Sequence, residues 1–389
     1  MAVYKDIIVV GGSYVGCAVA SKLAGMLPEM YRVLLIEPHT HFHHLFAFPR
    51  FAAVPKHEHK GFVPYSGLFA KAPFQHHTVI RARVLAVTPY SVTLDRAWNG
   101  LTELEHSFLV LATGTTLPPP GSVSSEEKCA GVQAFQRMQS DVKAADSICI
   151  IGGGAVGVQL ALDLKELYGQ SKTVSLVHSR NNTMSRFHLS LHDIVRQRCE
   201  ELGVDLILGS RAVVPPGGFP SVLMGEGIDV ELVNGRRISA NLVITATGQK
   251  PNNQMVEHLS GVVGPTGFVV VRPTLQLVPE EFGNIFAVGD IADTGAHKAA
   301  RPGVFQAEVV AKNITAMTRG QKPFATYEVN PAAIHMTLGL KKNVLFINPP
   351  TDGNEPRIVL RDDGQEDMGV ERQWANRNVM VTQPQDYHL

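Results

Sequence analysis

At 389 residues, 44% hydrophobic and 18% charged, the chain has length for two or three domains with ordinary cores. Lysine plus arginine and aspartate plus glutamate balance at 35 each, so net charge gives no general reason to expect nucleic acid or an anionic membrane as partner. The four cysteines, Cys17, Cys129, Cys149 and Cys199, stand far apart with no C-x-x-C pair. That argues against a disulfide framework, a zinc site and a redox dithiol, and a reduced intracellular compartment fits best.

The first informative stretch is Lys5–Gly16, KDIIVVGGSYVG. Ile7–Val10 is a short, branched, apolar run, as a strand buried on both faces requires. Gly11, Gly12 and Gly16 allow a tight turn into a helix over Tyr14–Leu27. N–H groups at that helix start, at the positive end of its dipole, suit a pyrophosphate. A second apolar run, Tyr31–Ile36, ends in Glu37, about 20 residues beyond the turn, where a carboxylate takes both hydroxyls of an adenosine ribose. Ser13 replaces the middle glycine of G-x-G-x-x-G; it is small, and its hydroxyl can donate to a phosphate. Lys5, the apolar run and Ala18-Val19-Ala20 also mimic a secretory signal, but the glycine turn and the answering Glu37 favour a nucleotide fold. Residue 2 is alanine, which speaks against N-myristoylation, and no apolar segment approaches the length of a membrane span.

His39, His41, His43 and His44 come next, with Phe42, Phe46, Phe48, Pro49 and Arg50. Their tight clustering lacks the spacing of most metal sites, so no metal is expected. The expectation is a loop lying over a cofactor, with aromatic and imidazole groups packed on it and Arg50 among its contacts. Val79–Thr93 alternates as strands, broken at Thr88-Pro89. Phe108–Ala112 is a buried strand closing on Ala112-Thr113-Gly114, and Pro118-Pro119-Pro120-Gly121 makes a stiff exit towards a second nucleotide domain.

Ser147–Ile151 is again a short apolar strand, and Gly152, Gly154 and Gly157 complete an intact G-x-G-x-x-G. A helix over Val156–Tyr168 and a strand over Thr173–Val177 follow. That strand ends in His178-Ser179-Arg180, where an NAD-specific site places an acidic residue; the missing carboxylate and Arg180 suit the 2′-phosphate of NADPH, with NADH as the alternative. A helix over Leu191–Leu202, a strand over Val204–Leu208 and a hairpin around Asn234-Gly235 lead to the strand Leu242–Ala246. Thr247 and Gly248, in a second A-T-G, mirror Thr113 and Gly114 and mark the return crossing.

Asn284–Ala287 feeds Val288-Gly289-Asp290, where the glycine brings backbone close and Asp290 can accept a ribitol hydroxyl of a flavin. Arg301-Pro302-Gly303 opens a helix to Thr318, whose dipole would stabilise negative charge on a reduced flavin. Lys298, just ahead of it, is placed to add a positive charge. Tyr327–Leu389 carries no chemical motif: Val344–Phe346, Ile358–Leu360 and Val379–Val381 read as strands or tail, and core packing is favoured for Phe346 and Trp374 over covering a flavin.

Two dinucleotide folds, two A-T-G crossings and a terminal G-D, in this order, resemble the two-dinucleotide-binding-domain flavoproteins. Phe42-His43-His44, Leu176-Val177-His178-Ser179 and A-V-G-D-I-A-D with Lys298 soon after resemble the apoptosis-inducing-factor-like ferroptosis suppressor type, also called AMID, over Ile7–Lys322. The resemblance implies an α/β chain: an FAD domain over 1–120 and 251–325, an inserted NAD(P)H domain over 121–250 and a smaller α+β part over 326–389. It implies oxidation of NAD(P)H through FAD and transfer of electrons to a quinone-like acceptor. FAD would rest on Gly11, Gly12, Gly16, Glu37, Asp290 and the Lys298 region, and NAD(P)H on Gly152, Gly154 and Gly157. Ser13, Ala2 and the acidic tract Asp362-Asp363-Glu366-Asp367 depart from that pattern and leave peripheral membrane contact and the acceptor open. A ferredoxin-type reductase, a tailoring oxidoreductase of secondary metabolism and a nucleotide-sensing protein with weak turnover are the alternatives.

Overall fold

The computed structural model describes residues 4–351 and 353–389; Ala2, read above against myristoylation, lies outside them. Its helices are α1 (Tyr14–Met26), α2 (Phe48–Ala53), α3 (Lys128–Ala144), α4 (Ala155–Tyr168), α5 (Leu189–Leu202), α6 (Ala300–Thr318) and α7 (Glu371–Ala375). Among the described residues no helix is long and apolar enough to cross a membrane.

The first Rossmann-like unit is built on a parallel sheet in the order Ile285–Ala287, Phe108–Leu111, Lys5–Val10, Tyr31–Ile36, Thr78–Ile80. Alternation sorts its side chains. Ile7, Val9, Val33 and Leu35 pack with α1 and α6, while Ile8, Val10, Leu34 and Ile36 pack with an antiparallel meander of Val84–Val87, Ser91–Trp98 and Leu101–Glu105. The expected Val79–Thr93 strands therefore divide between the parallel sheet and the meander. The meander's third strand, LTELE, escapes a sequence reading because only Leu104 of its five residues is buried.

The second unit has the parallel order Asp205–Ile207, Thr173–Val177, Ser147–Ile151, Leu242–Thr245. The hairpin forms between Ile228–Glu231 and Arg237–Ala240. Helix α3 has no counterpart in the sequence reading. Its buried stripe is Lys128, Gly131, Phe135 and Val142, spaced for a helix but only half of it large and apolar. The two A-T-G crossings meet: Thr115–Thr116 pairs antiparallel with Lys250–Pro251, and Thr113 Oγ1 donates to the Asn252 carbonyl at 2.7 Å while Asn252 Nδ2 donates to the Thr113 carbonyl at 2.8 Å.

The C-terminal part divides between the two cores. An antiparallel sheet of Ala333–Thr337, Asn343–Ile347 and Arg357–Arg361 sends Met336, Val344 and Phe346 into the second unit's core. Val370, Trp374 and Val379 enter the first core instead. Val379–Val381 forms no strand, because it follows α7 across that core rather than extending the sheet. Phe346 and Trp374 are fully buried core residues.

Candidate functional site: two nucleotide cradles

The two glycine turns share one construction. Gly11 has φ +103°, and a Cβ there would stand 2.5 Å from the Ala112 carbonyl oxygen; Gly152 has φ +127°, and its Cβ would stand 2.6 Å from that of Ala246. A Cβ on Gly16 would lie 1.7 Å from the Gly11 oxygen, and one on Gly157 would lie 1.9 Å from the Gly152 oxygen. Only glycine fits these four positions. Each A-T-G strand end is thus the wall against which a first glycine turns. The N-caps of α1 and α4 are Ser13 and Gly154, and neither supplies a side-chain cap, so first-turn N–H groups stay open to an anion.

Beside each turn sits one polar partner. Glu37 is buried; its carboxylate accepts the Gly12 N–H at 2.5 Å and the His39 N–H at 3.0 Å. Tyr65 closes the other side of this turn, donating its hydroxyl to the Gly12 carbonyl at 2.8 Å. No local pattern announces Tyr65; its role comes from the strand pairing of His41–His43 with Phe62–Pro64. In the second cradle the corresponding group is His178, whose Nδ1 accepts the Gly153 N–H at 3.1 Å. Its Nε2 is buried without a partner, and burial, with Arg180 nearby, holds the imidazole below its usual pKa. Arg180 itself is exposed and donates to Ser185 Oγ.

A third group lies at the end of Ile285–Ala287. Gly289, at φ +75°, donates its N–H to the Gln306 side-chain oxygen at 2.7 Å, and Gln306 is buried within α6. A Cβ on Gly303 would come 2.3 Å from Val15, so glycine lets α6 begin against α1. Lys22 and Glu308 pair one to two turns further along, so the two helices run in the same direction with their starts together. Asp290 Oδ2 lies 3.5 Å from Thr115 Oγ1 and 3.4 Å from Gln249 Nε2; burial raises its pKa, while Lys298 acts in the opposite sense. The Lys298 ammonium donates to the Ala292 carbonyl at 2.5 Å and lies 4.1 Å from the centre of the Phe268 ring.

From Phe48 onward the loop after Glu37 departs from expectation. Phe48 and Phe51 of α2 are fully buried in the second unit's core, against α3 and α4. Arg50 is fully buried too, and every nitrogen of its guanidinium is engaged inside the protein. Nε and Nη2 donate to the two Asp163 oxygens at 2.7 and 3.0 Å, Nη2 also to the Gly339 carbonyl at 2.8 Å, and Nη1 to the Gln365 carbonyl at 3.1 Å. It is a clamp between α2, α4 and the C-terminal part rather than a cofactor contact. The histidines go separate ways: His39 to Glu37, His41 to Thr40, His44 Nδ1 to the Tyr14 hydroxyl at 2.7 Å. Tyr14, His44 and the exposed Phe46 remain at the start of α1.

The family described as Pyridine nucleotide-disulphide oxidoreductase matches residues 5–313. The chain belongs to this family. It is 36% identical to Fe-regulated protein 8 of Mycosarcoma maydis, over 96% of this chain and 95% of that protein. It is 30% identical to human ferroptosis suppressor protein 1, over 95% of this chain and 94% of that protein. Its fold is similar to that of the sulfide:quinone oxidoreductase from Aquifex aeolicus, at a TM-score of 0.74 and 19% identity, covering 96% of this chain and 92% of that one. Pyridine nucleotide-disulphide oxidoreductases of this type are oxidoreductases that use FAD with NAD(P)H. The residues present fit both nucleotides: two tight turns that only glycine allows, two uncapped helix starts and the unpartnered Nε2 of His178. The four cysteines are all free, three of them buried.

Proposed function

We propose that this chain oxidises NAD(P)H through FAD and delivers the electrons to a quinone-like small molecule. The reading is carried by the doubled cradle: two bare glycine turns in one chain, one answered by a buried carboxylate and the other by an imidazole. When bound, FAD accepts a hydride from the nicotinamide and passes the electrons on.

The chain's own residues bind and orient. Gly11 and Gly12 shape the first turn, their own N–H groups donated to the Ile36 carbonyl and the Glu37 carboxylate. Ser13 and Gly16, at the start of α1, present backbone N–H groups to the FAD diphosphate, and Glu37 takes the adenosine ribose. Gly152 shapes the second turn, its N–H donated to the Val177 carbonyl, while Gly154 and Gly157 present theirs to the nicotinamide nucleotide, with His178 and Arg180 at its 2′-phosphate. The paired crossings at Ala112, Thr113, Gly114, Thr247 and Gly248 hold the two cradles in register, with FAD on 1–120 and 251–325 and NAD(P)H on 121–250. Asp290, on the Gly289 turn, accepts from the ribityl chain. The start of α6 and Lys298 place positive charge beside the ring. A quinone-like acceptor is supported by the resemblance to ferroptosis suppressors and by the fold shared with a sulfide:quinone oxidoreductase.

The test is the visible spectrum of the purified protein, followed anaerobically on adding NADPH, NADH and then a soluble ubiquinone analogue. Expected are a yellow protein, bleaching by NADPH and return of colour with the quinone. A protein that stays colourless after reconstitution with FAD, or a flavin that NADPH and NADH leave oxidised, overturns the proposal.

A further inference from the structure

The sequence assigned no chemistry to the chain's last segment, yet that segment places a cation in the first cradle. Arg377, just after α7, has its guanidinium carbon 3.2 Å from the centre of the Phe42 ring and 5.7 Å from that of Tyr14. Nη1 donates to the Gln373 carbonyl at 3.1 Å and to its side-chain oxygen at 2.9 Å, while Nε is buried with no acceptor. No carboxylate among the described residues forms an ion pair with it. The groups around it are Tyr14, Cys17, His44 and Tyr65. Burial pushes the Cys17 thiol up to about 12, raises both phenols and brings the His44 imidazole down to about 3, so all four are neutral near pH 7.

A partly buried guanidinium with no counter-charge is costly, and such groups persist where an anion completes them. The position is built rather than incidental. Trp374 is fully buried and donates Nε1–H to the Lys60 carbonyl at 2.8 Å, Asn378 donates to the Gly67 carbonyl at 3.1 Å, and a Cβ on Gly67 would lie 2.1 Å from the Arg377 carbonyl oxygen. All of Arg377's neutral neighbours belong to the first cradle: Tyr14 and Cys17 open α1, Phe42 and His44 follow Glu37, and Tyr65 caps Gly12. The first-turn N–H groups of α1 are uncapped, and the guanidinium lies 5.7 Å from the ring of Tyr14, the first residue of that helix, so both donors belong to the same cradle.

We propose that Arg377 binds the adenosine diphosphate half of FAD, so that the C-terminal segment closes the first cradle with a fixed positive charge. The inference rests on the reading that this cradle holds FAD, and it adds a recognition residue outside every nucleotide motif.

The experiment compares full-length wild type, Arg377→Met and Arg377→Lys after FAD has been stripped with a chaotrope. FAD affinity is followed by quenching of flavin fluorescence at two salt concentrations, and the melting temperature of each apoprotein is measured. The methionine retains the stack on Phe42 and removes the charge. Expected for Arg377→Met is FAD binding weaker by about tenfold or more and less salt-sensitive, with an apoprotein melting no lower than wild type; lysine restores part of the loss. Should the methionine variant fail to fold, Arg377→Gln carries the same comparison. Unchanged FAD affinity overturns the proposal, as does a loss matched by an equal fall in apoprotein stability, which is the signature of packing alone. Wild type that takes up no FAD overturns instead the assignment of this cradle.

Discussion

Gly153 donates its amide N–H to Nδ1 of His178 at 3.1 Å, whereas in the other cradle Gly12 donates its own at 2.5 Å to the carboxylate of Glu37. One backbone position thus reads an acid in one cradle and a neutral imidazole in the other. Because Nδ1 accepts, the ring proton sits on Nε2, which is buried without an acceptor. A carboxylate here would repel a 2′-phosphate; an N–H donor beside Arg180 does not.

His178→Asp is therefore expected to lower the ratio of kcat/KM for NADPH to that for NADH by about tenfold or more, mainly by raising the KM for NADPH. Steady-state kinetics with both nucleotides check this. An unchanged ratio would place nucleotide choice elsewhere.

The two cradles separate cleanly by mutation. Gly16→Ala sets a methyl 1.7 Å from the Gly11 oxygen, and Gly157→Ala sets one 1.9 Å from the Gly152 oxygen. Gly16→Ala is expected to yield a protein largely free of flavin. Gly157→Ala is expected to remain yellow and to lose most of its bleaching by NADPH. Absorbance ratios and anaerobic titration read the two outcomes.

Arg50 and Asp163 form a fully buried ion pair. Burial pushes the Asp163 carboxyl up to about 6 in spite of the guanidinium beside it, so the pair's worth lies in its geometry and its full set of hydrogen bonds. Arg50→Met or Asp163→Leu alone strands a buried charge and is expected to cost about 3–5 kcal/mol in urea unfolding. The double variant is expected to cost clearly less than the sum of the singles. Additive losses would show that the two residues act independently.

Acid should weaken the fold from a definite point. Burial brings the imidazoles of His77 and His106 down to about 4 and that of His44 to about 3. Unfolded, each takes a proton below about pH 6.5; folded, none does until those lower values. The unfolded chain therefore binds more protons across that window, and stability falls as pH drops below about 6.5. Asp163 and Asp290, whose carboxyls burial raises, have the opposite sign, Asp163 below about 6, but His59, held down to about 4, and the lowered imidazoles of His41, His43, His178 and His297 add to the three named. Melting temperature is expected to decline steadily from pH 7 to 5, and His106→Phe is expected to flatten the decline. A melting temperature independent of pH over that range would contradict this account.

Much of the site is written in short spans of sequence. Gly11–Gly16 with Glu37, Gly152–Gly157 with His178 and the two A-T-G ends each lie within a strand, a turn and the start of a helix. Steric demand for glycine and the strand period act over such distances, and the helices expected after each turn form within one residue of their read starts. Phe42–Arg50 shows where this ends. Its aromatic and imidazole content is compatible with a cofactor lid, yet Phe48, Arg50 and Phe51 enter the other unit's core because Asp163 and α3 wait there.

What the chain's order of residues determines alone is therefore the pair of glycine turns: where strand end, turn and helix start bring backbone against backbone, only glycine can stand, and that is legible one residue at a time. Tertiary structure decides what completes them. Arg50 meets Asp163, Tyr65 caps Gly12 and Arg377 stacks on Phe42 only after distant segments pack together. Contacts between such segments depend on which apolar faces each has left to bury, and no local pattern records that.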